Sequence, residues 1–414
     1  MSSEWIRTTI GSQSTLQRGF DITKAAQREG PIPVISSAGI SSRHDTAMVK
    51  GPGVVLGRKG VVGSVHFVEG DYWPHDTTLW VKDFHGNNEL FTYYFFRAHA
   101  SILSSLDVGS ANPTLNRNHV HPIEVSWPGI QEQEQIASFL GVLDDRISLL
   151  RETNATLEGI AQALFKSWFV DFDPVRAKTH GRIPEGMDEA MASLFPDGFE
   201  ESELGLVPRG WSLVPLYDLA TYINGAAYKA FSPNLERRGL PIIKIAELKA
   251  GVSSQTAYSD VVMPEKYRIN TGDILFSWSG NPDTSINTFV WIHGQAWLNQ
   301  HIFRVLPREE HERSFLLRAL KHLRPVFAEL ARNKQTTGLG HVTVADLKRL
   351  RVPKPDNVLL SHFDSVVSAI HDMMFNNDRT VQSLVTIRDT LLPRLIFGQL
   401  RLSDVEPPIE AIAA

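Results

Sequence analysis

Residues 136 to 168 read IASFLGVLDDRISLLRETNATLEGIAQALFKSW, with apolar side chains at Ile136, Leu140, Leu143, Ile147, Leu150, Leu157, Ala161, Leu164 and Trp168 and one polar residue, Asn154, in step with them. The steps alternate between four and three residues, the spacing that keeps one seam of a helix facing a partner helix. At roughly 1.5 Å per residue, the seam runs for about 50 Å. An apolar stripe of that length needs a cover. Asn154 sits where a buried polar group fixes register at some cost in stability.

The cover lies in the same chain. Adding 227 to each seam position gives Phe363, Val367, Ile370, Met374, Asn377, Val381, Leu384, Arg388, Leu391 and Leu395, so a second helix of the same period is expected near the chain's end. Asn377 and Arg388 are its irregularities, and Pro393 is expected to end or kink it near Leu392. The likeness continues upstream: Trp5 and Gly19 match Trp211 and Gly225, Pro33 matches Pro241, Gly53 matches Gly272, and Trp73 and Val81 match Trp297 and Val305. The offset only grows along the chain, as collinear copies with small insertions in the second would give.

Each copy is therefore a mixed region followed by one long helix, an α+β architecture with an internal repeat. Short strands such as GVVLGR and GDILFSW are separated by Gly, Pro and Asn turns, and ELFTYYFFRAHASILSSL and RSFLLRALKHLRPVFAEL read as the helices within the mixed regions. The expected divisions are a first mixed domain at 1–130, the central helix at 131–172, a Pro-, Gly- and acid-rich linker at 173–205, a second mixed domain at 206–355, the distal helix at 356–400 and a flexible tail at 401–414.

Composition narrows the function. With no cysteine among 414 residues there is no disulfide framework, thiolate nucleophile or cysteine-bound metal, and with no run of 18 apolar residues a membrane span is not expected. The cytoplasm is the expected compartment. The net charge of -5 is uneven: residues 1–130 are neutral, 131–205 carry -9, 206–355 carry +8 and 356–414 carry -4. A basic second domain between acidic stretches points to different partners for different parts.

Catalytic signatures are missing from the sequence. GPGVVLGRKG lacks the spacing of a phosphate-binding loop, and no H-E-x-x-H or Asn/Asp-Pro-Pro-aromatic run is present. His119 with His121, or His293 with His301, would need a third ligand to hold a metal, and none stands at a convincing interval. No catalytic residue and no metal site is assigned.

Sequence reading on DNA needs cationic, amide and hydroxyl side chains on loops. The first domain offers Arg43, Arg58, Lys59, Asn116, Arg117 and Asn118 in turn-like contexts; the second offers Tyr228, Lys229, Arg237, Arg238, Ser277, Ser279, Asn281, Lys334, Gln335 and Thr336. Lys334 is expected to contact phosphate. A different reading is a coiled-coil scaffold or adaptor with two protein-binding domains; DNA affinity would fall steeply with salt, whereas apolar protein docking would not.

The stretch from QEQEQIASFLG to DFDPVRAK (131–178) resembles the central conserved region of the specificity subunits of type I restriction-modification systems, and RDTLLPRLIFGQLRL (388–402) resembles the distal one. IPEG to LVPRGW resembles the usual lead into the second target-recognition domain, whereas the first lead, SSEWIRTTIG, lacks the Pro-x-Gly before Trp5. The resemblance implies a non-catalytic chain with two target-recognition domains, each reading half of a bipartite, asymmetric double-stranded DNA target. It implies that the two helices pair as an antiparallel coiled coil about an approximate two-fold axis, and that they dock modification subunits, two of them expected, and restriction subunits. S-adenosylmethionine, ATP and Mg would belong to those partners.

Overall fold

The computed structural model describes residues 5–23, 26–106, 114–335 and 338–402. It divides into two compact units, one made of Met1–Leu149 with Val381–Ala414 and the other of Leu150–Thr380.

In the first unit a four-stranded antiparallel sheet has the order Thr15–Arg18, Thr78–Asp83, Gly53–Gly57, Val65–Val68. Its strand Gly53–Gly57 is buried along its whole length because both faces are covered. Val54 and Leu56 join the core that includes Phe91, Phe95 and Trp127, while Val55 joins Ile35, Tyr72 and Trp80 on the other side. This explains a continuous apolar run where a half-exposed strand would alternate. A second sheet sets Ile32–Ser36 between Gly39–His44 and the parallel Trp73–Pro74.

The second unit repeats this plan. Ala220–Asn224, Ile302–Pro307, Ile274–Ser277 and Asn287–Val290 form a sheet of the same order and direction. Ile274 and Phe276 enter one core and Leu275 another. The smaller sheet again contains a parallel pair, Leu240–Ile243 with Ala296–Leu298. In each unit one further ladder closes the mixed region, Ile6–Thr9 with Glu124–Trp127 and Ser212–Pro215 with Arg351–Lys354. The repeat inferred from scattered identities is thus a repeat of topology.

The two long helices are Ile130–Phe169 and Asn357–Ile396. Of the seam residues, Ile136, Leu140, Leu143, Ile147, Leu150, Trp168, Phe363, Val367, Leu384 and Leu395 are buried; Leu157, Leu164, Ile370, Met374 and Leu391 are partly so. In the first unit Ile136 and Leu140 share a core with Leu392 and Leu395, and Arg388 Nη1 reaches Asp144 Oδ1 at 2.5 Å. In the second, Asn377 donates to Asn154 Oδ1 at 2.8 Å, and Asn154 Nδ2 donates to Asp378 and to the Met374 carbonyl at 2.8 and 3.0 Å. Phe169 meets Phe363 at 4.8 Å between ring centroids. Residue numbers rise on one helix as they fall on the other in both units, so the segments pair antiparallel. The two irregularities of the second seam, Asn377 and Arg388, each have a polar partner on the first helix. That is what permits their burial.

Three expectations need correction. Pro393 does not end the second helix, which runs on to Ile396; it removes one backbone donor close to the end, where little ladder remains to be broken. The stretch read as a linker is packed structure: helices Asp173–Thr179 and Glu189–Ser193 and the hairpin Phe199–Ser202 with Gly205–Pro208, with Val175 and Phe195 in the core. Each helix read within the mixed regions is two helices, Glu89–Ala98 with Ala100–Ser105 and Arg313–His322 with Arg324–Asn333, broken at His99 and Leu323. Most of the expected tail, residues 403–414, lies outside the described residues.

Buried charge ties each mixed region to its helices. In the first unit Asp144 accepts from Tyr94 and Arg97 at 2.8 and 3.2 Å and from Arg388. In the second, Glu158 lies 2.7 Å from Arg318 and 2.9 Å from Lys321, and Arg318 also donates to His371 Nε2 through Nε and Nη2 at 3.0 and 2.7 Å. Burial and the positive charge of Arg318 and Lys321 pull the His371 imidazole down to about 3, against the weaker opposing effect of Glu158. Its folded pKa therefore lies below the unfolded value of about 6.5. The neutral ring's contribution is whole above about pH 6.5 and drains away as pH falls toward 3, by at most about 1.4 kcal/mol per pH unit. His371→Gln, which keeps an acceptor but not the titration, is expected to flatten the stability curve over that window. Parallel curves for variant and wild type in urea unfolding between pH 4 and 7 would contradict the assignment.

Candidate nucleic-acid interface

Most of the residues picked from turn-like contexts are already engaged. Arg43 donates to the Pro31 carbonyl at 2.7 Å and Arg117 reaches the Leu16 carbonyl at 3.5 Å. Asn116 caps its short helix by accepting from the Asn118 amide, and Gln335 donates to the Gly338 carbonyl at 3.0 Å. Arg238 is paired with Asp260 at 2.9 Å. Arg237 has a left-handed backbone, φ 56°, and its guanidinium lies 4.7 Å over the Tyr258 ring while donating to the Ser253 carbonyl. Tyr228 is exposed, with Lys244 Nζ 5.2 Å above its ring. Asn281 forms an Asx turn, its Oδ1 accepting from the Asp283 and Thr284 amides.

Two further candidates are buried, and a third is held by a buried carboxylate. Ser277 is buried, its hydroxyl held by the Ser285 and Asn287 carbonyls, and Ser279 is buried in the short ladder with His341. The two serines lie where sheet closure takes them inside, which their Gly- and Ser-rich context does not disclose. Lys334 is the third. Its ammonium bonds both oxygens of the buried Asp346 at 2.6 and 2.5 Å, so its charge is matched within the fold. Thr336 lies outside the described residues.

What is left over is small. Arg58, Lys59, Asn118 and Lys229 have side chains that make no hydrogen bond or salt bridge to a described residue, although Arg58 lies in the field of the Asp76 carboxylate. Arg58 differs from the others in being only partly exposed, with Nη1 buried and unsatisfied. Burial first, and then the neighbouring Arg18, push its pKa down against the opposing attraction of Asp76. Arg18, in turn, is engaged with Asp76 at 2.9 Å. In the second unit the sequence reading passed over an aromatic and amide cluster: the Trp278 indole donates to Asn224 Oδ1 at 3.0 Å, and its ring lies 5.6 Å from His301 and 5.8 Å from His341. These residues are distant in sequence; the repeat alignment carries Arg18 onto Asn224, but its Gly53–Gly272 offset carries Arg58 onto Ser277, one residue short of Trp278, so only the first was within its reach.

No group of three or more His, Asp or Glu able to hold a metal occurs among the described residues, and His119 and His121, or His293 and His301, acquire no third ligand there. No helix among them is long and apolar enough to cross a membrane.

Comparison with known proteins bears on the whole architecture. A family model described as type I restriction modification DNA specificity domain matches residues 4–159 and again residues 208–357. The chain is 24% identical over 321 residues to the type I restriction enzyme MjaIX specificity subunit of Methanocaldococcus jannaschii, spanning 76% of this chain and 70% of that one. It is 27% identical over 330 residues to the type I restriction enzyme HindI specificity subunit of Haemophilus influenzae, spanning 70% and 71%. Among solved structures, the type I restriction-modification system S subunit from M. genitalium matches with a TM-score of 0.57 at 18% identity, covering 95% of this chain and 96% of that one. At that identity the likeness speaks for the fold.

Proposed function

This chain belongs to the type I restriction modification DNA specificity family, and from that membership we propose that it is the specificity subunit of a type I restriction-modification complex, reading a bipartite, asymmetric DNA target. The observation that carries the reading is the double match: one family model falls once on each repeat, and each repeat has a mixed α/β domain with sheets of its own. Two domains of one fold with different surface side chains suit two different half-sites. Phosphate contacts would hold each domain in place and base contacts would select.

The reading gives this chain no catalytic step. Methyl transfer and cleavage are assigned to modification and restriction subunits, with S-adenosylmethionine, ATP and Mg as their cofactors. The absence from the sequence of a phosphate-binding loop and of an Asn/Asp-Pro-Pro-aromatic run supports that division. Each repeat ends in a long helix, which supports docking of two modification subunits, one per repeat, in the cytoplasm. Membership in the family argues against a scaffold that binds only proteins.

The test is methylation-sensitive sequencing of a host genome carrying the modification subunit with and without this chain. A single motif of two unlike halves around an unread spacer is expected only when the chain is present. Methylation independent of the chain, or one continuous motif, would contradict the proposal.

A further inference from the structure

Because the two mixed domains share a topology, sheet register identifies equivalent residues. Arg18 pairs with Leu79 as Asn224 pairs with Phe303. Gly57 pairs with Thr78 as Ser277 pairs with Ile302, which makes Arg58 the equivalent of Trp278 and Thr77 that of His301. Isolated bridges agree: Phe20 with His75 and Ala226 with Asn299 are both parallel. Gly19 and Gly225 mark the same corner, since a Cβ on either would lie 2.1 or 2.2 Å from the carbonyl oxygen of His75 or Asn299. One end of the four-stranded sheet thus carries Arg18, Arg58 and Thr77 in the first domain and Asn224, Trp278 and His301 in the second.

The backbone there is kept while the chemistry changes class. Arg58 is clamped through its main chain, its N–H donating to the Thr77 carbonyl at 2.8 Å and its carbonyl accepting from the Leu115 amide at 2.9 Å. Its guanidinium is held partly buried with no acceptor among the described residues, and Nη1 is fully enclosed. Nη1 itself is closed to a ligand, but the part of the guanidinium that stays exposed has no hydrogen-bond acceptor among the described residues, and a ligand can supply one there. In the second domain the Trp278 indole fixes the Asn224 amide through its oxygen, leaving the exposed NH2 without an acceptor among the described residues; His301 Nδ1 is likewise enclosed and unpartnered.

We propose that this sheet end is where each domain meets base edges, with Arg58 the specificity-determining residue of the first half-site and Asn224 that of the second. The inference rests on the DNA-reading function above and names its chemistry. A guanidinium fork matches the N7 and O6 acceptors that guanine presents in the major groove, so Arg58 selects a G·C pair. Trp278 is a positioning residue that acts through Asn224.

The experiment maps methylated sites genome-wide in a host expressing the full chain with its modification subunits. Arg58→Ala is expected to relax one G·C position of one half-site, lowering discrimination on the order of ten- to hundred-fold and leaving the other half-site intact. Arg58→Lys keeps the charge and stem but not the fork, so it relaxes the same position and guards against a variant that fails to fold. Asn224→Ala relaxes a position in the other half-site, and Trp278→Phe relaxes that same position more weakly. A uniform loss over all sequences in both Arg58 variants would make Arg58 a phosphate contact and overturn the inference. So would an unchanged motif in Arg58→Ala and Arg58→Lys while wild type shows one. No motif in wild type would instead overturn the specificity reading itself.

Discussion

Glu158→Gln is expected to lower the stability of the unit formed by residues 150–380 by about 3 kcal/mol, roughly 6–12 °C in Tm for a unit of this size. Arg318 has a side chain only 1% exposed, and Lys321 is 23% exposed; the Glu158 carboxylate is the anion that both of them face. Arg318 Nη1 lies 2.7 Å from Glu158 Oε1 without the alignment of a hydrogen bond, so the pair is chiefly electrostatic. Removing the charge but not the shape leaves two cations in a partly desolvated site. The loss falls at the low end of what breaking a buried pair costs because Glu158 keeps 32% of its side-chain exposure. Burial alone would raise the Glu158 carboxyl, but Lys321 and Arg318 prevail and hold it low. Its contribution is therefore present above the unfolded value of about 4.3 and is lost as pH falls through the folded one. Adding Arg318→Met should recover part of the loss, since one uncompensated cation goes with it. A Glu158→Gln chain that unfolds within 2 °C of wild type would rule out a structural role for the cluster.

The parts of this fold that were legible in sequence are those written as period. A four-three alternation from Ile136 to Trp168 has few other physical solutions than a paired helix, and the 227-residue offset supplied the partner. The helix break at His99 was not legible, because no Gly or Pro marks it and the departure is small; the break at Leu323 was marked by Pro325, which sits in the first turn of the helix that follows. The segment 173–205 misled because its Pro and Gly content reads as a linker, whereas a few buried side chains, Val175 and Phe195 among them, anchor it. The candidate interface was legible only as composition. Whether a cation is held for a ligand or matched internally depends on neighbours far away in the chain: Asp346 engages Lys334 across 12 residues, Asp260 engages Arg238 across 22, and Asn224 meets Trp278 across 54.

The second large effect concerns the division of labour between the repeats. Each mixed region has its own sheets, packs its core against the long helices, and pairs strands near its two ends, Ser212–Pro215 with Arg351–Lys354 in the second. Such closure means that the domain can be exchanged at its stem while the helices that follow stay as they are. Replacing residues 206–355 with the corresponding domain of a relative should carry over one whole half-site. The change in preference would be complete, because the several base contacts in one domain, each a discrimination of about 1–3 kcal/mol, move together.

Sequencing the methylated sites of a host carrying that exchanged chain and its modification subunits measures the outcome. One half of the motif is predicted to become that of the donor while the other half and the spacer stay unchanged. A motif altered in both halves, or in neither, would contradict the account.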